Sequence, residues 1–496
     1  MILRIVPNAV DFVRIATLEI PDIEFSRMKI MKFVVHSLLI AAAALLTGSV
    51  SFAAQDVDIN VKFDRGQQHR VQMQFEHEGK VIMQKDAERE EEEFRKLPMK
   101  TIAKLGYHQR FTGKGGDIQA IRYYGQAKGQ YSILKGETGA SLTDNNRLVV
   151  VRVKPESDKR IQMASVANTL AQHELELLRN PLDPLAVASL VNKKDVETGK
   201  PWKPSDDGLA NFLSVDRIIR NDVKVRVKEV RSGQAVLHAT GKLRAAVDDV
   251  STDMEIAAII KIRLGASDEL LRVKMNLREI RQPGQVAPGF DGTSSISLDL
   301  TPDSSCKSLT NEALARHTKG RVIEQRLQWQ SPGLKLKYDP RWRVIASEPE
   351  AAIMRFVSGG DLLAQCNIVQ LPARPANNPL KLSDYKAEVA RIISADEVAR
   401  IVDAKEFKTD DQIRGLSVKV EGEEGGIPVS WIYYHLNGKD GRRMTFVFTL
   451  EREIINQFLP ADRKLVEGLV FGARPSLRKA ATTPQRNAQS PASSRR

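Results

Sequence analysis

A chain of 496 residues is too long to close around one small core, so two domains are expected. The composition, 42% hydrophobic and 28% charged, is that of globular protein, and with aromatics at only 6% the cores must rely on Val, Ile, Leu and Ala. The net charge of +13 favours anionic surfaces in general, but no basic cluster is interleaved with aromatics, so nucleic acid is not an expected partner. Two cysteines, Cys306 and Cys366, exclude a disulfide-stapled scaffold. They could bridge in an oxidising compartment, although two independent thiols are the simpler reading.

The N-terminus carries an address. Residues 1–27 hold Asp11, Glu19, Asp22 and Glu24, which a signal peptide's leading region rarely tolerates, so they read as a non-native upstream extension with the true start at Met28 or Met31. Residues 28–53 read as a signal peptide. Lys29 and Lys32 precede an apolar stretch from Val34 to Leu46, and Ser51-Phe52-Ala53 places small residues for cleavage before Ala54. The apolar stretch is short for a membrane span, and no Cys follows it to take a lipid. The expected location is the periplasm or the exterior, with membrane contact only if the segment stays uncleaved.

Residues 54–300 read as a β-rich domain. Val57–Phe63 alternates apolar and polar, Val71–Phe75 continues, and Glu78-Gly79-Lys80 suggests a turn. The acid run Glu90–Glu93 reads as solvated surface. Strands are expected at Met99–Phe111, Ile118–Ala127, Arg147–Lys154 and Arg160–Ala164, and helices at Leu170–Leu178, Asp183–Leu190 and Asp206–Ser214, with Trp202 plugging the loop Val196–Pro204. Alternation then returns at Asp222–Val230, Ala235–Arg244, Thr252–Leu264 and Leu270–Arg281, a meander with one apolar and one charged face. That apolar face must be covered by the helical insert, a second sheet or a ligand. Pro283-Gly284 and Pro288-Gly289 are expected to end the strand set. Residues 301–332 read as a linker with a short helix at Leu309–His317.

The second domain, 333–473, restarts with LKLKYDPRWRVI: strand Leu334–Lys337, turn Asp339-Pro340, strand Trp342–Ala346. Strands at Ala351–Val357 and Leu362–Leu371 follow, then a helix from Ser383 to Ile401. Strands at Leu416–Val420, Ile427–Leu436 and Arg442–Leu450 and a helix at Pro460–Val470 complete it, with Asn437-Gly438 and Asp440-Gly441 supplying the last hairpin turn. The fold class expected is α+β: a mainly antiparallel β domain with a helical insert, then an antiparallel sheet covered by two helices. Residues 474–496 hold Arg478, Lys479, Arg486, Arg495 and Arg496 with no acid, and read as a disordered basic tail that could adhere to an anionic surface.

YDPRWRVI, the aromatic strand WIYYHL, the strand RRMTFVFTL and a closing helix ending in FG resemble the PsbP/Mog1/DcrB-like superfamily, over about 140 residues. The resemblance implies a non-catalytic binding or assembly factor, often extracytoplasmic. The first domain is similar to an uncharacterised family of exported bacterial β-rich proteins through DVETGKPWKP, the strand pair Asp222–Arg244 and LREIRQPGQVAPG, which implies no known activity.

Chemistry is sparse. His173-Glu174 lacks a second His at Leu177, so a zincin site is not read there. GKGGD at Gly113–Asp117 lacks the Lys-Ser/Thr of a phosphate loop and reads as a hairpin turn. DDVSTD (Asp248–Asp253) lacks the glycine and distal Glu of a calcium loop and reads as a solvated turn. No catalytic residue, cofactor or metal is assigned. Tyr338, Trp342, Trp431, Tyr433 and His435 could line a ligand groove, although packing into the sheet core is the plainer reading. The function expected is non-catalytic binding or assembly with an envelope protein or polymer. The alternatives are a carrier of an apolar ligand in an open half-barrel lidded by the helices, or an enzyme with a dispersed site.

Overall fold

The computed structural model describes residues 56–84, 94–113, 119–134, 136–153, 161–319, 323, 325–393 and 398–472. The signal segment, the acid run Glu90–Glu93, most of Gly113–Asp117 and the basic tail lie outside them.

The first half contains β1 (Asp56–Ile59), β2 (Gln68–Gln84), β3 (Phe94–Phe111), β4 (Gln119–Ile133), β5 (Gly136–Ser141), β6 (Leu148–Val153) and β7 (Ile161–Ser165). Then come α1 (Gln172–Leu178), α2 (Pro184–Val191), β8 (Lys193–Glu197) and α3 (Asp206–Leu213). They are followed by β9 (Arg217–Asn221), β10 (Lys224–Arg231), β11 (Gln234–Val247), β12 (Val250–Arg263), β13 (Glu269–Arg281) and β14 (Gly289–Pro302). β1 pairs with β8, and the others form one twelve-stranded antiparallel sheet whose main path is β10-β11-β12-β13-β14-β2-β3-β4-β6-β7. Among the described residues the path does not close, and its end strands β10 and β7 are not paired with each other. Its ends nevertheless approach each other: Ile161 of β7 and Val215-Asp216, leading into β9, line the same small hollow beside α3.

Period-two alternation explains the sheet. On β12, Thr252, Met254, Ile256, Ala258, Ile260 and Ile262 are buried while the residues between them are exposed. Each fully buried aliphatic side chain stabilises by about 1.5–3 kcal/mol. The outer side carries cross-strand ion pairs, including Arg244–Asp253 and Arg263–Glu269. A charged outer side is a water-facing side, the reverse of the apolar band of a lipid-facing barrel. Leu175, Leu177, Val187, Leu209 and Phe212 join the apolar cluster of the inner side. The helix layer is pinned by Arg122 on β4, which donates to both carboxylate oxygens of Asp183 at 2.7 Å. Asp183 also caps α2 by accepting from the Leu185 amide. Trp202 exchanges two backbone hydrogen bonds with Val225, so the DVETGKPWKP loop shields the β10 edge.

The second half contains α4 (Asn311–Thr318), β15 (Leu327–Ser331), β16 (Leu334–Tyr338), β17 (Trp342–Glu348), β18 (Ala351–Ser358), β19 (Asp361–Leu371) and α5 (Leu382–Ile393). It continues with β20 (Arg400–Lys408), β21 (Arg414–Glu424), β22 (Ile427–Asn437), β23 (Arg443–Glu451), α6 (Ile455–Phe458), α7 (Ala461–Glu467) and β24 (Leu469–Phe471). The sheet order is β17-β18-β19-β23-β22-β21-β20, with a separate β15-β16-β24 ribbon. The whole is α+β and mainly antiparallel β, as expected from the sequence.

Four readings are corrected. Glu78-Gly79-Lys80 is no turn: β2 runs straight through it, and Gly79 is small because a Cβ there would lie 2.5 Å from the Asp291 carbonyl oxygen of the neighbouring strand. The Pro-Gly pairs do not end the sheet, since β14 follows them and pairs with both β13 and β2. The helix from residue 382 does not reach Ile401, which lies on the edge strand β20. DDVSTD is only partly solvated: Ser251 and Asp253 are exposed, but Asp248 is buried and Asp249 half-buried. Asp248 and Asp249 take positive φ in a tight turn that docks on the second half, where Arg343 donates to Asp248 at 3.1 Å and the Leu362 amide to Asp249 at 3.0 Å. Arg217 forms a bidentate pair with Asp361 nearby. A Cβ on Gly360 would lie 2.5 Å from that of Ala246.

Candidate functional site

The aromatics expected to line one groove lie on different faces. Trp342 meets Phe356 and Phe448 at a tilt and Phe458 edge to face, and Tyr338 is buried in the same cluster. Tyr433 and Trp431 pack instead with Tyr385 and Val389 of α5, and His435 lies 5.3 Å from the Tyr385 ring. Alternation along β22 puts these three on one side, while β17 contributes Trp342 to the other. The five residues therefore form core on two faces and not one groove. Cys306 and Cys366 are both free thiols, so the bridge is absent. His173-Glu174 turns out structural: buried Glu174 accepts from the amides of Thr143 and Ala171 and from Asn146, fixing the start of α1. Among the described residues no group of three His, Cys, Asp or Glu is placed to hold a metal ion. A polar hollow of about 510 Å³ beside β4 and β5 is lined by Tyr124, Gln126, Lys128, Ser141, Asp144 and Arg147.

The unusual chemistry lies on the inner side of the long sheet. β13 buries Val273, Met275 and Leu277 in alternation, then continues the same parity with Glu279 and Arg281, while Ile280 faces out. Register aligns three rungs across the middle strands. Leu277 faces Ser294, Ser294 faces His77 and His77 faces Thr101. One rung on, Glu279 faces Gly292 and Gly292 faces Gly79. On the next, Thr252 faces Arg281 and Arg281 faces Phe290.

His77 Nδ1 is 3.0 Å from Ser294 Oγ, and its ring packs on Phe290. A Cβ on Gly292 would lie 2.7 Å from His77 Nε2, so the glycine makes room for the ring to lean towards the rung of Glu279. Burial pulls the His77 pKa down to about 4 against the pull of Glu279, so the imidazole is neutral near pH 7. Arg281 is 1% exposed, and its three guanidinium nitrogens have no hydrogen-bond partner among the described residues. Its nearest recorded carboxylate oxygen belongs to Glu279, 3.9 Å from Nε. Burying a cation without hydrogen bonds costs several kcal/mol. The cluster is thus a neutral imidazole, a hydroxyl, a carboxylate and an unsatisfied guanidinium set in an apolar wall. The helices pack closest to β4, β5 and β9, towards the ends of the strand order, whereas this cluster lies on the middle strands β13, β14 and β2.

None of these four residues was singled out from the sequence, yet a signal existed. In LRVKMNLREIR the inward parity passes from Val, Met and Leu to Glu and Arg while an Ile takes an outward position.

No family model matches the chain, and no curated protein matches it. Among solved structures, the cyanobacterial PsbP (CyanoP) of Synechocystis sp. PCC 6803 is similar at 12% identity, covering 31% of this chain and 95% of its own, with a TM-score of 0.25. A Pseudomonas aeruginosa protein of unknown function, PA94, matches at 11% identity over 30% of this chain and 99% of its own, TM-score 0.19. A BenF-like porin from Pseudomonas fluorescens Pf-5 covers 78% of this chain and 99% of its own at 8% identity, TM-score 0.11. Likenesses of this size fix no family and no function.

Proposed function

We propose that the chain is an exported, non-catalytic binding protein of the cell envelope that holds an apolar ligand against the inner side of its long open sheet. The observation that supports the reading is a long inward apolar stripe, from Val225 and Val227 through β11 to β14 and on to β2, with the polar cluster of His77, Ser294, Glu279 and Arg281 set into it. The helices α1–α3, of seven or eight residues each, lie against it. Those inward side chains are almost fully covered in this structure, Val273 and Leu277 at 0% and Met275 at 2% exposure, so an acyl chain would take the place of what covers them and keep the same apolar surface from water. The export signal read from residues 28–53 supports a location outside the cytoplasm for such a carrier.

The test is an apolar naphthylamine dye titrated into the full chain, expressed with its leader and stripped of bound lipid. Saturable fluorescence gain, reversed by dodecanol, is expected. A response no larger than that of an unrelated β protein contradicts the reading.

A further inference from the structure

We propose that the ligand is an amphiphile with an anionic head, a carboxylate or phosphate on an aliphatic chain, and that Arg281 receives the head. The inference rests on the apolar-ligand reading above and adds the head group and its position. Arg281 shares its inward parity with Val273, Met275 and Leu277, so the guanidinium terminates an apolar strip. Nε is the nitrogen near Glu279, and Nη1 and Nη2 donate to no group among the described residues. Those two nitrogens form the planar fork that matches two oxygens of a carboxylate or phosphate. Two rungs away stand Ser294, on the neighbouring β14, and His77, on β2 beyond it.

The position follows from register. Arg281 faces Thr252, just beyond the Asp248-Asp249 turn that docks on the second half. The head therefore lies at the end of the sheet closed by the second half, and the chain extends along Leu277, Met275 and Val273. Glu279 limits the fit, because its carboxylate repels an anion and tunes how tightly one is held.

The experiment is displacement of the naphthylamine dye from the full-length, lipid-stripped protein by dodecanoate, dodecyl phosphate and dodecanol, which share one tail. Two charge-assisted hydrogen bonds should favour at least one anion over the alcohol by roughly tenfold or more. Arg281→Gln should bring anion and alcohol to within about twofold, with dodecanol affinity unchanged, which also shows that the sheet is intact. Glu279→Gln should tighten the anion and leave dodecanol alone. A stronger effect of the phosphate points to a phospholipid, and of the carboxylate to a free fatty acid. Equal affinity for all three on the parent protein, or an anion preference that survives Arg281→Gln, overturns the proposal while leaving the apolar reading standing. Failure of the dye and of dodecanol to bind removes both.

Discussion

Two arginines are buried on the same side of the same sheet, each about 1% exposed, and they are treated in opposite ways. Arg122 on β4 makes two 2.7 Å hydrogen bonds to Asp183, and its guanidinium lies over the Tyr107 ring. Burial works against its charge, and the Asp183 carboxylate outweighs that, so Arg122 stays protonated. Arg281 on β13 has the same burial, no hydrogen bond among the described residues and a looser ion pair with Glu279 at 3.9 Å. The fold thus has the means to satisfy a buried guanidinium and applies them where a helix must be pinned. At Arg281 the unsatisfied cation faces an apolar stripe, which is the arrangement of a receptor and not of a brace.

The comparison can be broken by substitution. Arg122→Met leaves the Asp183 carboxylate buried without its partner and disturbs the cap of α2, so urea unfolding should show a loss of about 3–5 kcal/mol. The next effect is a pH dependence that separates His77 from its charged neighbours. Its folded pKa is about 4 against the ordinary 6.5, so between those values the unfolded chain binds the extra proton. The stabilisation is complete above about pH 6.5 and is lost as the pH falls towards 4, by about 3 kcal/mol for a shift of that size. His435 in the second half is lowered to about 4 as well, and His69 is lowered. His77→Gln should therefore make the acid-side fall in stability shallower without abolishing it. The smallest effect sharpens the comparison most. Arg281→Met removes a guanidinium that makes no hydrogen bond among the described residues but leaves the buried Glu279 carboxylate without that cation 3.9 Å away, so the lipid-stripped protein should lose about 1–2 kcal/mol, less than Arg122→Met. A loss as large as that of Arg122→Met would show that Arg281 is a brace after all.

Much of the fold was legible in the sequence because alternation is local. The pattern in VSTDMEIAAIIKIR and the three helices before Arg217 needed no tertiary information. What failed depended on partners. Gly79 looks like a turn until the backbone of Asp291 is placed against it. Arg400–Lys408 is a strand because β21 pairs with it, although its side chains are mostly exposed and the preceding helix pattern runs into it. The aromatic pairing of Trp342 with Trp431 failed because register decides which sides two distant strands share. Glu279 and Arg281 could have been found: once Val273, Met275 and Leu277 are read as inward, the same parity places both charges inside.

The most direct test is native mass spectrometry of the full chain, exported through a bacterial periplasm and purified without detergent, for the parent and Arg281→Met in parallel. The account predicts extra mass on the parent that is lost on denaturation and extracts as an anionic amphiphile, with that mass depleted in the variant. Bare protein in both preparations, or the same anionic adduct on each, would contradict it.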